Sequence, residues 1–184
     1  MKTVFLLLFL FVVLSCGRNS SNDATPQDVL PAATTSGANT AGCLVNGKVL
    51  IPKNGSQSIG GQPLYGLLSS VGPNFNFPPV GNDTWDLLIT NHSTKNSLSI
   101  NLENLSQGIG EYQLNSSNTI AYKDGSGNYF TSSNNSGIVK ITRFDYLLGI
   151  YSGQFSSSLK NSNTGEIIEI KEGRFDINYT TLNH

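Results

Sequence analysis

The chain is poor in the residues that most often carry chemistry. It holds 2 Cys, 2 His, 1 Met and 1 Trp, and charged residues make up 12% of it. His92 is the one internal His, so the Cys/His spacing of a zinc site is absent. Cys43 stands alone once Cys16 is set aside, and one thiol cannot close an internal disulfide. No run of Lys or Arg occurs and the formal net charge is −1. Nothing therefore implies nucleic acid or an anionic surface as partner. No G-x-S-x-G turn appears that would hold a strained nucleophile. Beyond residue 42 there is no convincing helical stripe.

What is present begins at the N-terminus. Lys2 supplies a short positive region, and Val4 through Val13 form an uncharged apolar run. That run is shorter than the about 20 residues that span a bilayer. It ends at Val13-Leu14-Ser15-Cys16, which resembles a lipobox, and no A-x-A-like site competes with it. Residues 1–15 thus read as a lipoprotein signal peptide, with cleavage before Cys16 and acylation of its thiol and new amino group. Several acyl chains hold a protein stably where one is marginal. Gly17 to Gly42 is rich in Ser, Asn, Thr, Ala, Pro and Gly. It buries too little to order itself, and is expected to be a flexible tether reaching roughly 25–30 Å.

Residues 43–184 have the length of one domain. Their apolar period is 2. Trp85, Leu87 and Ile89 alternate with Asp86, Leu88 and Thr90, and Leu98, Ile100 and Leu102 with Ser99, Asn101 and Glu103. The same pattern recurs at Val139–Thr142, Gln154–Leu159 and Arg174–Tyr179. Successive strand side chains point to opposite faces, so each run has one face for a core and one for water. On this reading Phe175, Ile177 and Tyr179 face the core while Arg174, Asp176 and Asn178 face water. Turn residues separate the runs: Asn46-Gly47, Asp124–Asn128, Asn134–Gly137, Asn161–Gly165, and Glu172-Gly173 ahead of a last strand. The expectation is an all-β, antiparallel β-sandwich or closed-barrel-like fold, a lipocalin-like barrel included, with about nine to eleven strands. Helix is expected to be scarce, with room for one turn over Asn101–Gln107. Pro73–Pro79 reads as a loop or an extended crossing piece.

The C-terminal third carries a series of motifs. Ser136-Gly137-Ile138-Val139-Lys140-Ile141-Thr142 is followed by Tyr151-Ser152-Gly153-Gln154-Phe155-Ser156, then by Ile168-Glu169-Ile170-Lys171-Glu172-Gly173-Arg174-Phe175-Asp176-Ile177. This series resembles uncharacterised lipoproteins of Bacteroidota-type bacteria that share a domain of unknown function. The opening Val45-Asn46-Gly47 and Ile51-Pro52 are similar to that family's first hairpin, with Ile51 where an aromatic usually stands. The resemblance implies an all-β fold, a lipid anchor and an envelope location. It supplies no catalytic or binding residues.

Candidate chemistry is sparse. Asp124-Gly125-Ser126-Gly127-Asn128 spaces oxygen donors as calcium loops do. An EF-hand needs Gly at the sixth position and Glu at the twelfth, where this chain has Tyr129 and Asn135. A Gly-rich hairpin is the plainer reading. Asp83 and Asp86 flank Trp85 and invite a sugar-site reading, but Asp86 and Trp85 point to opposite faces of a strand. His92 lies at the end of that strand and reads as an exposed loop residue. Cys43 reads as a small buried apolar residue. Asn-x-Ser/Thr triplets at Asn54 and Asn91 mark surface loops.

The sequence therefore points to a lipid-anchored cell-envelope protein, a non-enzymatic binding or scaffolding module held by Cys16. Its expected partners are the membrane, through the anchor, and a glycan, a peptide or a small apolar ligand. Neither nucleic acid nor a cofactor or metal is implied. The uncharged or basic residues just after Cys16 favour the periplasmic face of the outer membrane. The alternative is a hydrolase with an unrecognised site.

Overall fold

The computed structural model describes residues 27–56, 58–72, 84–103 and 105–183. The signal peptide, Cys16, Asp83 and Pro73–Pro79 lie outside them. The strands are β1 (Thr40–Val45), β2 (Lys48–Leu50), β3 (Ser58–Ile59), β4 (Gln62–Pro63), β5 (Leu67–Gly72), β6 (Thr84–Asn91) and β7 (Asn96–Glu103). They continue as β8 (Gly110–Gln113), β9 (Thr119–Lys123), β10 (Tyr129–Thr131), β11 (Gly137–Asp145), β12 (Ile150–Lys160) and β13 (Ile167–Asn178). One short 3-10 turn, Leu105–Gln107, falls where a helical turn was expected. No α-helix occurs among the described residues.

The all-β, antiparallel class read from the sequence is what the chain forms. Among the described residues eleven strands make a single sheet in the order β2-β1-β13-β12-β10-β9-β7-β6-β5, with β11 paired to β12 and β8 paired to β11. The sheet curls into a half-barrel, between a sandwich and a closed barrel. The junction is β12, whose one edge is shared. Residues Ile150 to Ser157 pair with β11, and Lys160 pairs with Thr131 of β10. A separate hairpin of two-residue strands, β3 and β4, was not anticipated. Two contacts draw the free edges together. Lys53, just past β2, forms an isolated parallel bridge to Asn91 at the end of β6. Asn183 Nδ2 donates to the Leu67 carbonyl on β5 at 2.7 Å.

The alternation places the core as expected. Trp85, Leu87, Ile89, Leu98, Ile100, Leu102, Val139, Ile141, Phe155, Leu159, Phe175 and Ile177 are all buried. The first hairpin turns through Asn46 and Gly47 at φ 47° and 78°, as a two-residue turn with left-handed positions requires.

β13 departs from the sequence reading. Glu172-Gly173 is not a turn between two strands but a bulge inside one continuous strand. The pairing of β13 with both β12 and β1 shifts register there, and Glu172 sits at φ 52°. The extra residue changes which parity faces inward: Ile168 and Ile170 before it, Gly173, Phe175 and Ile177 after it. A bulge bends its strand and sharpens the twist, which suits the curl of the sheet.

The repeated Gly-x-Phe motif is explained by the same pairing. Gly153 lies opposite Phe175, and Phe155 opposite Gly173. A Cβ on either glycine would overlap the ring of the facing Phe. Each ring thus covers a backbone that only glycine leaves bare. The two rings stack with centroids 6.4 Å apart, and Trp85 from β6 packs on Phe175 at 5.0 Å.

Two expectations fail on the outer face of this region. Asp176 does not face water: it is 1% exposed. The stretch assigned to the tether docks over it. Thr34 Oγ1 donates to Asp176 Oδ2 at 2.6 Å, the Ser36, Gly37 and Ala38 amides donate to its carboxylate at 2.9, 2.8 and 3.1 Å, and Ser152 Oγ donates at 2.6 Å. Arg174 donates to the Pro31 carbonyl and Arg143 to that of Thr35. Asp28 pairs with Lys53 at 2.8 Å. Residues 28–39 are therefore a strap bound to the sheet, and only the chain before them is left for a tether.

Candidate functional site

Most residues singled out in the sequence are committed to structure. Trp85 is fully buried, and its Nε1 has no hydrogen-bond partner. It presents no face to a sugar. Asp86, on the outer side of β6, accepts from Asn101 Nδ2 at 2.6 Å. The carboxylate pair cannot be assembled from described residues, because Asp83 lies outside them. Asp124 accepts from the Ser126 and Asn128 amides and from Asn128 Nδ2. These bonds, the Asn128 side chain first, hold its carboxyl below the usual range. It caps its own hairpin, as the plainer reading held.

His92 is not the exposed loop residue expected: it is half-buried, with Nε2 3.3 Å from the Tyr65 carbonyl. Among the described residues no group of three or more His, Cys, Asp or Glu side chains is placed to hold a metal. Cys43 is fully buried in β1, and burial pushes its thiol up to about 12. A thiol so protonated is a packing group, not a nucleophile. Asn54 Oδ1 accepts the Gly66 amide, and Asn91 caps the turn at Ser93 and Thr94.

Several concavities occur among the described residues, and two of them lie beside the strap and at one end of the half-barrel. The larger, about 390 Å³, lies on the outer face beside the strap, lined by Ala33, Ile138, Lys140, Gln154, Glu172 and Arg174 among others. Its charges are already paired: Lys140 with Glu111 at 3.6 Å, Arg174 with Glu172 at 3.1 Å. That leaves little free charge to recognise a ligand.

The second, about 220 Å³, opens at one end of the half-barrel, where the β1–β2 hairpin faces the β9–β10 hairpin. Its apolar wall is made by Leu50, Tyr122, Phe130 and Ile168, all core residues at the end of their strands. Tyr122 and Phe130 pack with centroids 6.2 Å apart. Burial, then Asp124 and Cys43, pushes the Tyr122 hydroxyl upward, so it stays neutral. Lys48, Asn96, Asp124 and Glu166 complete the lining. Lys48 and Glu166 are exposed, and neither enters an ion pair among the described residues. An apolar wall with a few convergent polar groups is the usual build of a small-molecule site. The volume suits a small amphiphile or one inserted side chain.

Residues 80–176 match a family described as a domain of unknown function, DUF6252. The match covers more than half of the 184 residues. The chain belongs to this family. The DUF6252 region contributes Tyr122, Asp124, Phe130, Glu166 and Ile168 to the mouth, while Lys48, Val49 and Leu50 come from the hairpin ahead of it. No curated protein and no solved structure matches the chain.

The sequence reading missed this mouth, although it had placed Asp124 in a hairpin. Period-2 alternation marks Tyr122 and Phe130 as inward. It does not say which two hairpins meet at the open end.

Proposed function

We propose that the protein is a lipid-anchored envelope module of the Bacteroidota lipoprotein type that binds a small amphiphilic ligand at the mouth of its half-barrel. The observation that carries this is a concavity of about 220 Å³ backed by the core side chains Leu50, Tyr122, Phe130 and Ile168, with Lys48 and Glu166 exposed at its rim and outside every ion pair among the described residues. The ligand's apolar body lies on the wall, and Lys48 takes an anionic head. Binding without turnover is the favoured reading because the other charged groups named here are held in their own turns and pairs. Cys16 holds the protein by its acyl chains at the periplasmic face of the outer membrane.

The fluorescent probe 1-anilinonaphthalene-8-sulfonate combines aromatic rings with an anionic head. It binds saturably to the wild-type protein on this reading. Lys48→Glu, which reverses the charge, and Val49→Trp, which narrows the mouth, each weaken it at least about tenfold, or 1.4 kcal/mol. Equal binding by both variants, or no saturable binding by wild type, overturns the mouth as the site. The anchor has its own test. Cys16→Ser loses acyl labelling and moves to the soluble fraction, and unchanged membrane fractionation of that variant overturns it.

A further inference from the structure

The turn joining β11 to β12 carries side chains that neither its fold nor the core requires. Tyr146, Leu147 and Leu148 are 40%, 81% and 55% exposed. The turn is built without them: Asp145 Oδ1 accepts the Leu148 amide at 3.1 Å, and Gly149 takes φ 66°. Such tips are ordinarily made of small polar residues. Ile109, 67% exposed, follows Gly108, which lies against the ring of Phe144 at the end of β11. The charges at the base cancel, since Arg143 pairs with Asp145 at 2.9 Å. The result is an apolar knob with a tyrosine at its shoulder and no unpaired charge beneath it.

We infer that this knob inserts into the membrane interface and orients the domain on the bilayer. The inference rests on the anchored reading given above. Chain length allows it. From Cys16 to Gln27 the extended chain reaches at most about 40 Å. The strap from Asp28 to Gly37 spans at most about 30 Å, and its far bend at Gly37 lies beside Ile150 at the base of the knob, where an added Cβ would come within 3.1 Å of the Ile150 side chain. The acyl chains and the knob can thus occupy one bilayer together. Tyrosine is enriched at the headgroup level, and leucines next to it enter the acyl boundary.

The placement has a consequence for the mouth. β12 and β13 run from the knob, where Ile150 pairs with Asn178, to the mouth, where Lys160 pairs with Ile167. That is about 33 Å of strand. With the knob in the bilayer, the mouth faces away from it, open to a ligand arriving through the aqueous phase.

The test uses the full acylated chain in vesicles of phosphatidylethanolamine and phosphatidylglycerol, with a nitroxide at Leu147→Cys or, as a control near the mouth, at Ser126→Cys. The proposal expects the Leu147 label to become several-fold more accessible to oxygen than to a water-soluble nickel chelate, while the Ser126 label stays aqueous. A vesicle-bound chain with both labels aqueous overturns it and leaves the anchor standing. Spin–spin coupling between Leu147 labels without oxygen access assigns the knob to a second copy and also overturns it. A chain that does not sediment with vesicles removes the anchor, and the proposal falls with it.

Discussion

Asp176 shows what alternation can and cannot tell at the scale of a residue. Its position one residue from both Phe175 and Ile177 put it on the outer face, correctly. Outer does not mean wet, because the strap covers it. The donors at Thr34, Ser36, Gly37 and Ala38 lie 138–142 residues away in the chain, a distance no local pattern spans. Successive backbone N–H groups around an anion form a nest. Removing the charge leaves those donors without a full partner. Asp176→Asn is therefore expected to lower stability by about 2–4 kcal/mol in urea melts at pH 7. Gln154→Ala, on the exposed side of β12, is expected to stay within about 0.5 kcal/mol. Equal effects would mean that the strap is not held by this carboxylate.

The same residue fixes a pH dependence. Burial alone would raise its carboxyl, but bonds from Ser152, Thr34, Ala38 and Gly37 outweigh burial and bring it down to about 2. An unfolded Asp titrates near about 3.9. The folded value is the lower one, so the contribution is fully present above about pH 4 and is lost as pH falls towards 2. The loss is about 2 kcal/mol. Melts at pH 7, 4 and 2 should show this acid limb in wild type and a shallower one in Asp176→Asn.

At the scale of elements, the turn residues were read correctly as places where the backbone departs from a plain strand, and once wrongly as a chain reversal. Glu172-Gly173 carries the composition of a turn, but β12 and β1 flank β13 on both sides and hold it extended through the bulge. The two Gly-x-Phe segments were visible as motif, and their antiparallel pairing gives the motif its reason. Gly173→Ala puts a methyl into the ring of Phe155 and is expected to cost about 1–3 kcal/mol. Shrinking that ring relieves the clash, so Gly173→Ala and Phe155→Leu together should cost less than the sum of the two singles by about 0.5–3 kcal/mol. Strict additivity would show that the glycine is not there to admit the ring.

At the scale of the molecule, fold class was legible because period 2 persists through the body. The half-barrel was not, since its curl depends on how β12 divides one edge between β11 and β10. Composition misassigned the strap for a physical reason: Ser, Thr and Gly bury little apolar surface, yet their hydroxyls and accessible amides are what a buried carboxylate needs. The mouth was illegible because it is made by hairpins distant in sequence. The whole then reads as a clasped half-barrel with an apolar knob at one end and, at the other, the mouth proposed to bind a ligand. The most direct test is backbone amide NMR during titration with 1-anilinonaphthalene-8-sulfonate. The expected result is shifts concentrated at Lys48–Leu50, Tyr122–Asp124, Phe130 and Glu166–Ile168. Shifts centred on the outer groove at Lys140, Gln154 and Arg174, or spread evenly over the sheet, would contradict it.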